Sequence, residues 1–308
     1  LNFIMKSKII IGTRGSNLAM AQSQIVKDKL MLLNINTEIE IKVIKTKGDI
    51  MLNQSVQNLV DKGFFVNEIQ EELINKGIDI AVHSLKDLPT EINKKIRINS
   101  VIKRSNPNDV FISHKRLSPF EMPNNSIIAT SSKRRKYQLL RINPTFCIKE
   151  IRGNIDTRIN KFKNGYCDAI VLAYAGLERL SLLDLVSYEF PITEMIPAAG
   201  QGAIAIESRK DDNSLNNLIS KINCAETSKC VSVERKILSK LGLGCNAPVA
   251  VNVNIQKKTV KLNAIFFSLS KMKHVNIELE EVFQNIDSLA DLALYEFEKL
   301  NYKNLFDE

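Results

Sequence analysis

The apolar positions of this chain recur with two different spacings, and each spacing predicts a different element. Runs in which apolar residues alternate or are continuous predict strands, and runs in which they are spaced by three and four predict helices. Near the amino terminus the runs alternate as strand, helix, strand, helix and strand, over residues 8–13, 18–33, 38–45, 65–74 and 78–83. This order is typical of an α/β domain with a largely parallel sheet, in which ligands bind beyond the carboxyl ends of the strands.

A second series of the same kind follows. Strands are predicted over residues 110–112, 127–130, 146–151 and 169–173, with helices over 133–141 and 155–162. Residues 191–202, which include Pro197, Gly200 and Gly202, predict a crossing between domains. The strand predicted over residues 203–207 could then rejoin the first sheet. The natural interpretation is a second α/β domain.

The pattern changes again from Ala225 onward. One helix is followed by three β-like runs and a final amphipathic helix, over residues 249–255, 259–267, 275–279 and 286–300. This order predicts a small α+β domain. Because a chain of 308 residues exceeds one typical core, we predict three domains: residues 1–102 with 200–222, residues 103–199, and residues 223–308.

The positive charge of the chain first suggests nucleic acid as a partner. The formal net charge is +9, and clustered cations bind phosphates without regard to sequence. The excess comes largely from lysines scattered along the chain, a pattern typical of a solvated surface. Aromatic residues make up only 6%, Trp is absent, and no predicted helix carries a basic stripe interleaved with aromatic residues. We therefore expect no nucleic-acid partner.

The cysteines favour neither a metal site nor a disulfide framework. No Cys-x-x-Cys pair is present, and no histidines stand at zinc-ligand spacing. An odd count fits a reducing compartment, where a thiol can stay free for chemistry, so we expect a cytoplasmic protein without a metal. The five cysteines are Cys147, Cys167, Cys224, Cys230 and Cys245.

No stretch of the sequence predicts a membrane span or a signal peptide. The longest apolar run, residues 169–177, is well short of the roughly 20 residues that cross a bilayer. Lys6 and Lys8 precede only a brief apolar run before Arg14 interrupts it. Leu1 is an unusual first residue, and Met5 is an alternative start, which leaves open whether residues 1–4 belong to the native chain.

Two residues stand where reactive groups would be expected. Asp87 follows Lys86 directly after the strand predicted over residues 78–83, so its carboxylate should project into the crevice at the strand end. In isolation, an N-cap or a surface ion pair would be the better explanation of this aspartate. Cys245 lies between Gly244 and Asn246, in a turn with room for a bulky adduct, although burial as a small apolar residue is commoner for a cysteine.

A series of cations lies where predicted strands give way to helices, which is where α/β proteins bind anions. Planar guanidinium groups match carboxylates in a bidentate manner, and Ser16 and Ser132 near helix starts can add hydroxyl and backbone donors. A solvated face is the alternative, and we accept it for Lys133 and Lys136. The cations are Arg14, Lys86, Arg134, Arg135, Arg152, Arg158 and Arg179.

Nine short motifs occur in a fixed order along the chain. They are GTRGS at 12–16, TKGD at 46–49, KGFF at 62–65, HSLKD at 83–87, TSSKRR at 130–135, IRGN at 151–154, TR at 157–158, PAAGQG at 197–202 and GC at 244–245. This series resembles the porphobilinogen deaminase (hydroxymethylbilane synthase) family, from near the first residue to past Cys245. The resemblance implies two periplasmic-binding-protein-like α/β domains with a cleft between them, and a small C-terminal α+β domain that carries Cys245.

The resemblance also implies an activity. Members of this family are transferases of porphyrin and haem biosynthesis that condense four porphobilinogen molecules head to tail, release ammonia at each coupling, and liberate the linear tetrapyrrole hydroxymethylbilane. They carry a dipyrromethane cofactor in thioether linkage to the cysteine that matches Cys245. The aspartate that matches Asp87 stabilises positive charge near the pyrrole nitrogens as ammonia leaves. We expect porphobilinogen as the small-molecule partner, a monomer, and no membrane partner.

The resemblance assigns the remaining motif residues to binding. The cofactor-binding set is Cys245, Lys86, Ser132, Arg134, Arg135, Arg152 and Gly153. The substrate-binding set is Arg14, Ser16, Arg152, Arg158, Arg179 and Phe65. For Phe65 a place in the core is an equally good reading, and His83 is expected to be a core residue rather than a base. The chain departs from the family pattern at Asn58, where most relatives have a lysine, and at Leu243, where a glycine is usual.

A rival interpretation from another class is a non-catalytic anion-binding protein that uses the same two-lobed cleft. It predicts tight binding of a polycarboxylate without turnover. It leaves the pairing of Asp87 with Cys245 unexplained, so we favour the enzyme.

Overall fold

The computed structural model describes residues 7–33, 36–46, 66–242, 248–268 and 273–300. The chain divides into two compact units, Leu1–Ser105 with Ala203–Ser228, and Asn106–Gly202 with Lys229–Glu308. The first unit is therefore discontinuous, because the chain leaves it and returns about 100 residues later. The sequence-based division into three domains stays a prediction.

The first unit is built on a five-stranded mixed sheet with the strand order β2-β1-β3-β10-β4. Strand β1 runs parallel to β2 and β3, whereas β10 runs antiparallel to β3 and β4. Because β4 is antiparallel to β10, it points the same way as β1, β2 and β3, so four of the five strands share one direction and the expectation of a largely parallel sheet is confirmed for this unit. The return of the chain into the first sheet is also confirmed. In chain order the elements are β1 (Lys8–Thr13), α1 (Asn17–Met31), β2 (Glu38–Val43), α2 (Asn67–Ile74), β3 (Ile80–Ser84), β4 (Ile96–Val101), β10 (Ile204–Arg209) and α6 (Asn213–Ser220).

Both faces of this sheet are covered. On one face Val26 and Leu30 of α1 pack against strand residues that include Ile11. On the other face Ile69 and Leu73 of α2 form a second apolar cluster. Each of these five side chains has 2% or less of its surface exposed. A sheet buried on both sides needs apolar residues in succession, which explains the continuous apolar runs in the sequence.

The second unit repeats this layout with the strand order β7-β6-β8-β5-β9. Strand β6 runs parallel to β7 and β8, whereas β5 runs antiparallel to β8 and β9. Since β9 is antiparallel to β5, it points the same way as β6, β7 and β8, and this sheet too is largely parallel, with β5 as its one reversed strand. The elements are β5 (Asp109–Ser113), β6 (Ile127–Ala129), α3 (Lys133–Ile142), β7 (Cys147–Lys149), α4 (Ile155–Lys163), β8 (Ala169–Ala173), α5 (Tyr174–Arg179) and β9 (Tyr188–Glu189).

The C-terminal part of the chain forms a three-stranded antiparallel sheet in the order β11-β12-β13, with its own apolar core. In that core Phe266 packs edge-on against Phe297, with ring centroids 4.1 Å apart. The elements are α7 (Ala225–Lys240), β11 (Val249–Gln256), β12 (Thr259–Phe267), β13 (His274–Val282) and α8 (Leu289–Lys299). Among the helices in the described ranges, none is both long and apolar enough to cross a membrane.

One buried carboxylate ties three segments of the second unit together. Glu234 of α7 has no exposed surface. Its Oε2 accepts a hydrogen bond from Gly200 N at 2.6 Å, and its Oε1 accepts one from Val253 N at 2.8 Å. The glycine-containing loop at 197–202, helix α7 and strand β11 are therefore joined through a single side chain.

Candidate active site

Asp87 lies where the sequence predicts it, just beyond the carboxyl end of β3. The strand ends at Ser84, and Leu85–Asp87 forms one turn of 3₁₀ helix. Leu85 and Leu88 on either side of the turn are each 1% exposed, and Leu85 N donates to Ala203 O at 3.0 Å. Lys86 and Asp87 are only partly buried. Two apolar anchors therefore hold a partly accessible carboxylate on a short, fixed turn.

The first helix brings an anion-binding feature to the same edge of the first sheet. Ser16 is the N-cap of the 15-residue helix α1 and accepts a hydrogen bond from Ala19 N at 3.3 Å. Arg14 lies between β1 and this cap. Because β1 and β3 are parallel neighbours, their carboxyl ends meet at one edge of the sheet. The structure thus brings Arg14 and Ser16 to the edge that carries Lys86 and Asp87.

The second sheet has a corresponding edge. Ser132 is the N-cap of α3, and its hydroxyl accepts a hydrogen bond from Arg135 N at 3.4 Å. Asn154 caps α4 in the same way, accepting from Thr157 N at 2.9 Å. Since the parallel strands β6 and β7 lead into these two helices, both helix amino termini lie at one edge of the sheet. Backbone N–H groups at such termini are ready donors to anions.

The residues just before α4 differ in accessibility. Arg152 keeps 47% of its side chain exposed, and its Nη2 is 3.5 Å from Glu150 Oε2, a distance typical of a weak surface pair. Gly153 has φ +114, and a Cβ atom there would lie 2.6 Å from Thr157 Cγ2. Only glycine fits this position without strain. Arg158 Nε donates to Gly153 O at 2.8 Å, so Arg158 supports the turn from behind.

Arg134 and Arg135 occupy a different environment from the one the sequence suggests. They are 5% and 6% exposed, and both bind the fully buried carboxylate of Asp109. Arg134 Nη1 donates to Asp109 Oδ2 at 2.5 Å, and Arg135 Nη2 donates to Asp109 Oδ1 at 2.7 Å. Burial raises the pKa of Asp109, but the two guanidinium groups outweigh it and hold that pKa well below its usual range. Burial lowers the pKa of Arg134.

Sequence reasoning missed Asp109 and its uncharged partner, Gln201. Gln201 Nε2 donates to Asp109 Oδ1 at 2.8 Å and to Pro107 O at 2.7 Å. The only sequence signal for Asp109 is a charged residue at the start of an apolar strand. Nearby, Arg179 Nη2 donates to Gly202 O at 2.6 Å, and burial lowers the pKa of Arg179. The binding roles predicted for Arg134, Arg135, Arg158 and Arg179 stay predictions.

Two family models match the chain. The model described as "Porphobilinogen deaminase, dipyromethane cofactor binding domain" matches residues 9–217, and the one described as "Porphobilinogen deaminase, C-terminal domain" matches residues 228–292. The chain belongs to the porphobilinogen deaminase family. The family predicted from the nine motifs is confirmed. Since members of this family are transferases of tetrapyrrole biosynthesis, the prediction of an enzyme is confirmed with it.

Proteins named porphobilinogen deaminase are similar to this chain over most of their length. Porphobilinogen deaminase from Staphylococcus saprophyticus is 44% identical over 243 residues, which cover 79% of this chain and 79% of that protein. Porphobilinogen deaminase from Chlorobium phaeovibrioides is 39% identical over 289 residues, covering 94% of this chain and 92% of the relative. The similarity therefore extends through both sheets and into the C-terminal part of the chain.

The solved structures that match are more distant. A probable amino-acid ABC transporter extracellular-binding protein from Bacillus subtilis matches with a TM-score of 0.43 and 15% identity, over 71% of this chain and 90% of that chain. A periplasmic domain of BvgS from Bordetella pertussis matches with a TM-score of 0.40 and 13% identity, over 70% of this chain and 86% of that one. Because both TM-scores are below 0.5, these structures are not used to assign the fold, and the α/β class rests on the two mixed sheets themselves.

Several residues of the deaminase pattern lie outside the described residues. They are Phe65, Cys245, Asn58 and Leu243. Of the described cysteines, Cys167 is buried, and burial raises its pKa to about 11, which makes its thiol a poor nucleophile. Within the described ranges no group of three or more His, Cys, Asp or Glu side chains could hold a metal ion.

His83 belongs to the interior of the first unit, as expected from its strand position. It is 6% exposed, and its Nε2 lies 3.2 Å from Glu207 Oε2 without the geometry of a hydrogen bond. Glu207 is fully buried and accepts from Gln70 Nε2 at 3.0 Å and 3.1 Å. This polar group joins β3, β10 and α2 beneath the turn that carries Asp87.

Proposed function

We propose that this chain condenses four porphobilinogen molecules head to tail, releases ammonia at each coupling, and liberates hydroxymethylbilane by hydrolysis. Membership of the porphobilinogen deaminase family supports the reaction. The observation that carries the proposal is the position of Asp87, a partly accessible carboxylate between two buried leucines at the sheet edge that also carries Arg14 and Ser16. A fixed anion beside anion-binding groups suits a substrate that bears carboxylates and develops positive charge.

Asp87 has two roles in this proposal. As ammonia leaves the aminomethyl group of the substrate, positive charge spreads over the pyrrole ring, and a carboxylate already held in place stabilises it without reorganising. The same carboxylate can accept the proton that the attacked ring carbon loses after coupling. The short turn between Leu85 and Leu88 supports both roles, because it limits how far the carboxylate can move.

The acetate and propionate groups of the substrate and of the growing chain need cationic partners. On the first unit Arg14, Ser16 and the amino terminus of α1 offer such donors, with Lys86 beside the catalytic aspartate. On the second unit Ser132 and the exposed Arg152 flank two helix amino termini. We assign Phe65, Arg158 and Arg179 to substrate binding on the family pattern alone.

The dipyrromethane cofactor supplies, when bound, the pyrrole end to which the first substrate is added. We propose that Cys245 tethers it through a thioether, and that Lys86, Ser132, Arg134, Arg135, Arg152 and Gly153 surround its carboxylates. The chemistry of the described donors fits a polycarboxylate, because capped helix termini and guanidinium groups recur at both sheet edges. The match to the cofactor-binding family model supports the same assignment.

Replacement of Asp87 tests the catalytic role. Asp87→Ala should retain the cofactor, seen as the intact mass of the polypeptide plus two linked pyrrole units, and should lower turnover by about a hundredfold or more. Glu91→Gln, an exposed carboxylate just beyond the same turn, is the matched control and should stay within about twofold of wild type. Near-normal turnover of Asp87→Ala would remove Asp87 from the mechanism.

Replacement of Cys245 tests the tether. Cys245→Ser should be soluble, should lack the added pyrrole mass and should be inactive. Full activity without an adduct would refute the covalent attachment. The rival anion-binding protein predicts a wild-type chain that never carries the adduct, even when it is expressed with the precursor pathway intact, and that binds polycarboxylates without releasing ammonia.

We also propose a cytoplasmic monomer without a nucleic-acid partner. The scattered lysines support the absence of a nucleic-acid partner, and the odd number of cysteines supports the cytoplasmic location. Sedimentation of the purified protein at micromolar concentration should give the mass of a single chain. A dimer mass, or retention of nucleic acid through a high-salt wash, would contradict it.

A further inference from the structure

The cluster around Asp109 contains more positive than negative charge. Arg134, Arg135 and Asp109 are each at least nine-tenths buried. Within the described part of the chain, the only carboxylate in ion-pair contact with either arginine is that of Asp109. One positive charge is therefore left without a counter-charge in a nearly dry site. Burying such a charge is costly unless a group of opposite charge pairs with it.

The two arginines do not share Asp109 equally. Arg135 uses all of its guanidinium nitrogens on the protein, because Nε and Nη2 donate to Asp109 Oδ1 and Nη1 donates to Val171 O at 2.9 Å. Arg134 uses Nη1 alone, which donates to Asp109 Oδ2 and, at 2.8 Å, to Ile196 O. Each guanidinium nitrogen of Arg135 thus has a hydrogen-bond partner within the fold.

The opposite edge of Arg134 has no such partner. Among the described residues, no hydrogen bond is made by Arg134 Nε or Nη2. Neither atom is among the buried polar atoms that lack a partner, so both keep contact with solvent. The pair Nε and Nη2 is one of the two-nitrogen edges with which a guanidinium group binds a carboxylate in a bidentate manner.

The partners of Arg134 are themselves held in place. Asp109 Oδ1 also accepts from Gln201 Nε2 at 2.8 Å, so neither carboxylate oxygen can turn away from the arginines without breaking a second contact. Ile196 is fixed by Gln138, whose Oε1 accepts from Ile196 N at 2.7 Å and whose Nε2 donates to Ile196 O at 3.0 Å. Arg134 Nη1 is therefore clamped between two immobile acceptors, and its accessible edge has one orientation.

We propose that Asp109 is a positioning residue, which neutralises Arg135 and fixes Arg134 so that the Nε and Nη2 edge binds one carboxylate of the dipyrromethane cofactor. This proposal divides the cofactor-binding role given above to both arginines: Arg134 contacts the ligand, and Arg135 supports Arg134 through their shared partner Asp109. This inference rests on the proposed function. The carboxylate of the ligand supplies the counter-charge that the cluster lacks.

Loading of the cofactor onto the apoprotein tests the division of roles without measuring turnover. Apoprotein made in cells that cannot synthesise porphobilinogen is mixed with hydroxymethylbilane. The thiol replaces the hydroxyl group of this linear tetrapyrrole, water leaves, and the gain of four pyrrole units is followed by intact mass. Arg134→Gln should slow loading about tenfold to a hundredfold, the loss expected for one charge-assisted contact. Arg134→Lys should recover only part of this loss, because lysine keeps the charge but not the two-nitrogen edge.

A double-mutant cycle tests the positioning role of Asp109. Asp109→Asn should slow loading as Arg134→Gln does, and Asp109→Asn combined with Arg134→Gln should be no slower than Arg134→Gln alone. Arg141→Gln, an exposed arginine on the same helix, should load within twofold of wild type. All rates are measured well below the lowest unfolding midpoint, so that loss of folded protein does not enter.

The outcomes separate this proposal from the function on which it rests. Wild-type loading of Arg134→Gln, or independent and additive losses from Asp109→Asn and Arg134→Gln, would overturn the positioning role while leaving the enzyme in place. A wild-type apoprotein that gains no pyrrole mass would overturn the proposed function, and this proposal with it. If Asp109→Asn does not fold, the loading rates of the two Arg134 variants still test the proposal. Arg134→Gln should load more slowly than Arg134→Lys, and Arg134→Lys more slowly than wild type; any other order refutes the proposal.

Discussion

Replacing Glu234 by Gln should destabilise the second unit. The carboxylate of Glu234 is fully buried and accepts hydrogen bonds from Gly200 N and Val253 N, at 2.6 Å and 2.8 Å. Glutamine has one acceptor oxygen in place of two, so its NH₂ group must face one of these N–H donors. The change keeps the size of the side chain and removes one of the two contacts, leaving a buried donor without an acceptor.

The expected cost follows from these two bonds. A hydrogen bond to a charged group contributes about 1.5–3 kcal/mol, and an unsatisfied buried donor costs about 1–3 kcal/mol. Neutralising the side chain relieves part of its desolvation cost, so we expect a net loss of about 2–4 kcal/mol. For a unit of roughly 150–250 residues each kcal/mol lowers Tm by about 2–4 °C, so the midpoint should fall by about 4–16 °C.

Thermal unfolding followed by circular dichroism measures this shift. The control is Glu226→Gln, which removes an exposed carboxylate from the first turn of the same helix α7. That change loses only a helix-dipole interaction of about 0.3–1 kcal/mol, so its midpoint should fall by about 4 °C or less. Equal shifts for the two variants would refute the argument, because they would mean that Glu234 contributes no more than a surface carboxylate.

Three further predictions follow from the site. Gly153→Ala should lower Tm more than Gly165→Ala. Both positions have positive φ, which costs an alanine about 1–3 kcal/mol, but only at Gly153 would the added Cβ lie 2.6 Å from Thr157. Equal shifts in thermal scans would contradict the contact. Arg152→Glu should leave Tm almost unchanged, since the side chain is 47% exposed, but should make enzyme with bound intermediates accumulate on native gels, and a wild-type distribution would count against a ligand contact. Because the folded pKa of Asp109 is depressed, its contribution to stability is present above the unfolded value of about 4 and is lost as pH falls toward the folded value. The Tm difference between wild type and Asp109→Asn should therefore be constant from pH 7 to about pH 5 and narrow below about pH 4, and a difference that stays constant to pH 3 would refute this linkage.

Local patterns in the sequence predicted most of the strands and helices. Strands β1, β8 and β12 have the bounds that the apolar runs predict, Lys8–Thr13, Ala169–Ala173 and Thr259–Phe267, because each is a continuous or alternating run ended by a polar or turn residue. Strand β4 was missed, although Ile96 and Ile98 alternate with Arg97 and Asn99 as in a strand with one exposed face. Helix α6 was missed because the Asn and Ser residues in its sequence have weak helix propensity, so that its packing on the sheet determines its structure.

The candidate site was predictable only where it depends on neighbours in the sequence. Asp87 and Ser132 follow directly from a strand end and a helix start. The burial of Arg134 does not follow from its neighbours in the sequence. Its partner Asp109 is 25 residues away in the chain, and Gln201, which also binds Asp109, is 92 residues from Asp109. From the sequence alone, an arginine at the start of a helix is expected to be an exposed anion-binding residue, because the distant residues that bury it are not visible in the local pattern.

The strand order of the first sheet delays the completion of that sheet during synthesis. Among the described strands, β4 pairs only with β10, and β10 also lies against β3. Ile204 of β10 follows Val101 of β4 by about 100 residues, so at roughly 5–20 residues per second β4 emerges about 5–20 seconds before its partner exists. During that interval β3 and β4 present unpaired edges of the kind that promote aggregation. We therefore expect nascent chains stalled before Ile204 to require chaperone protection that chains extended beyond Arg209 do not.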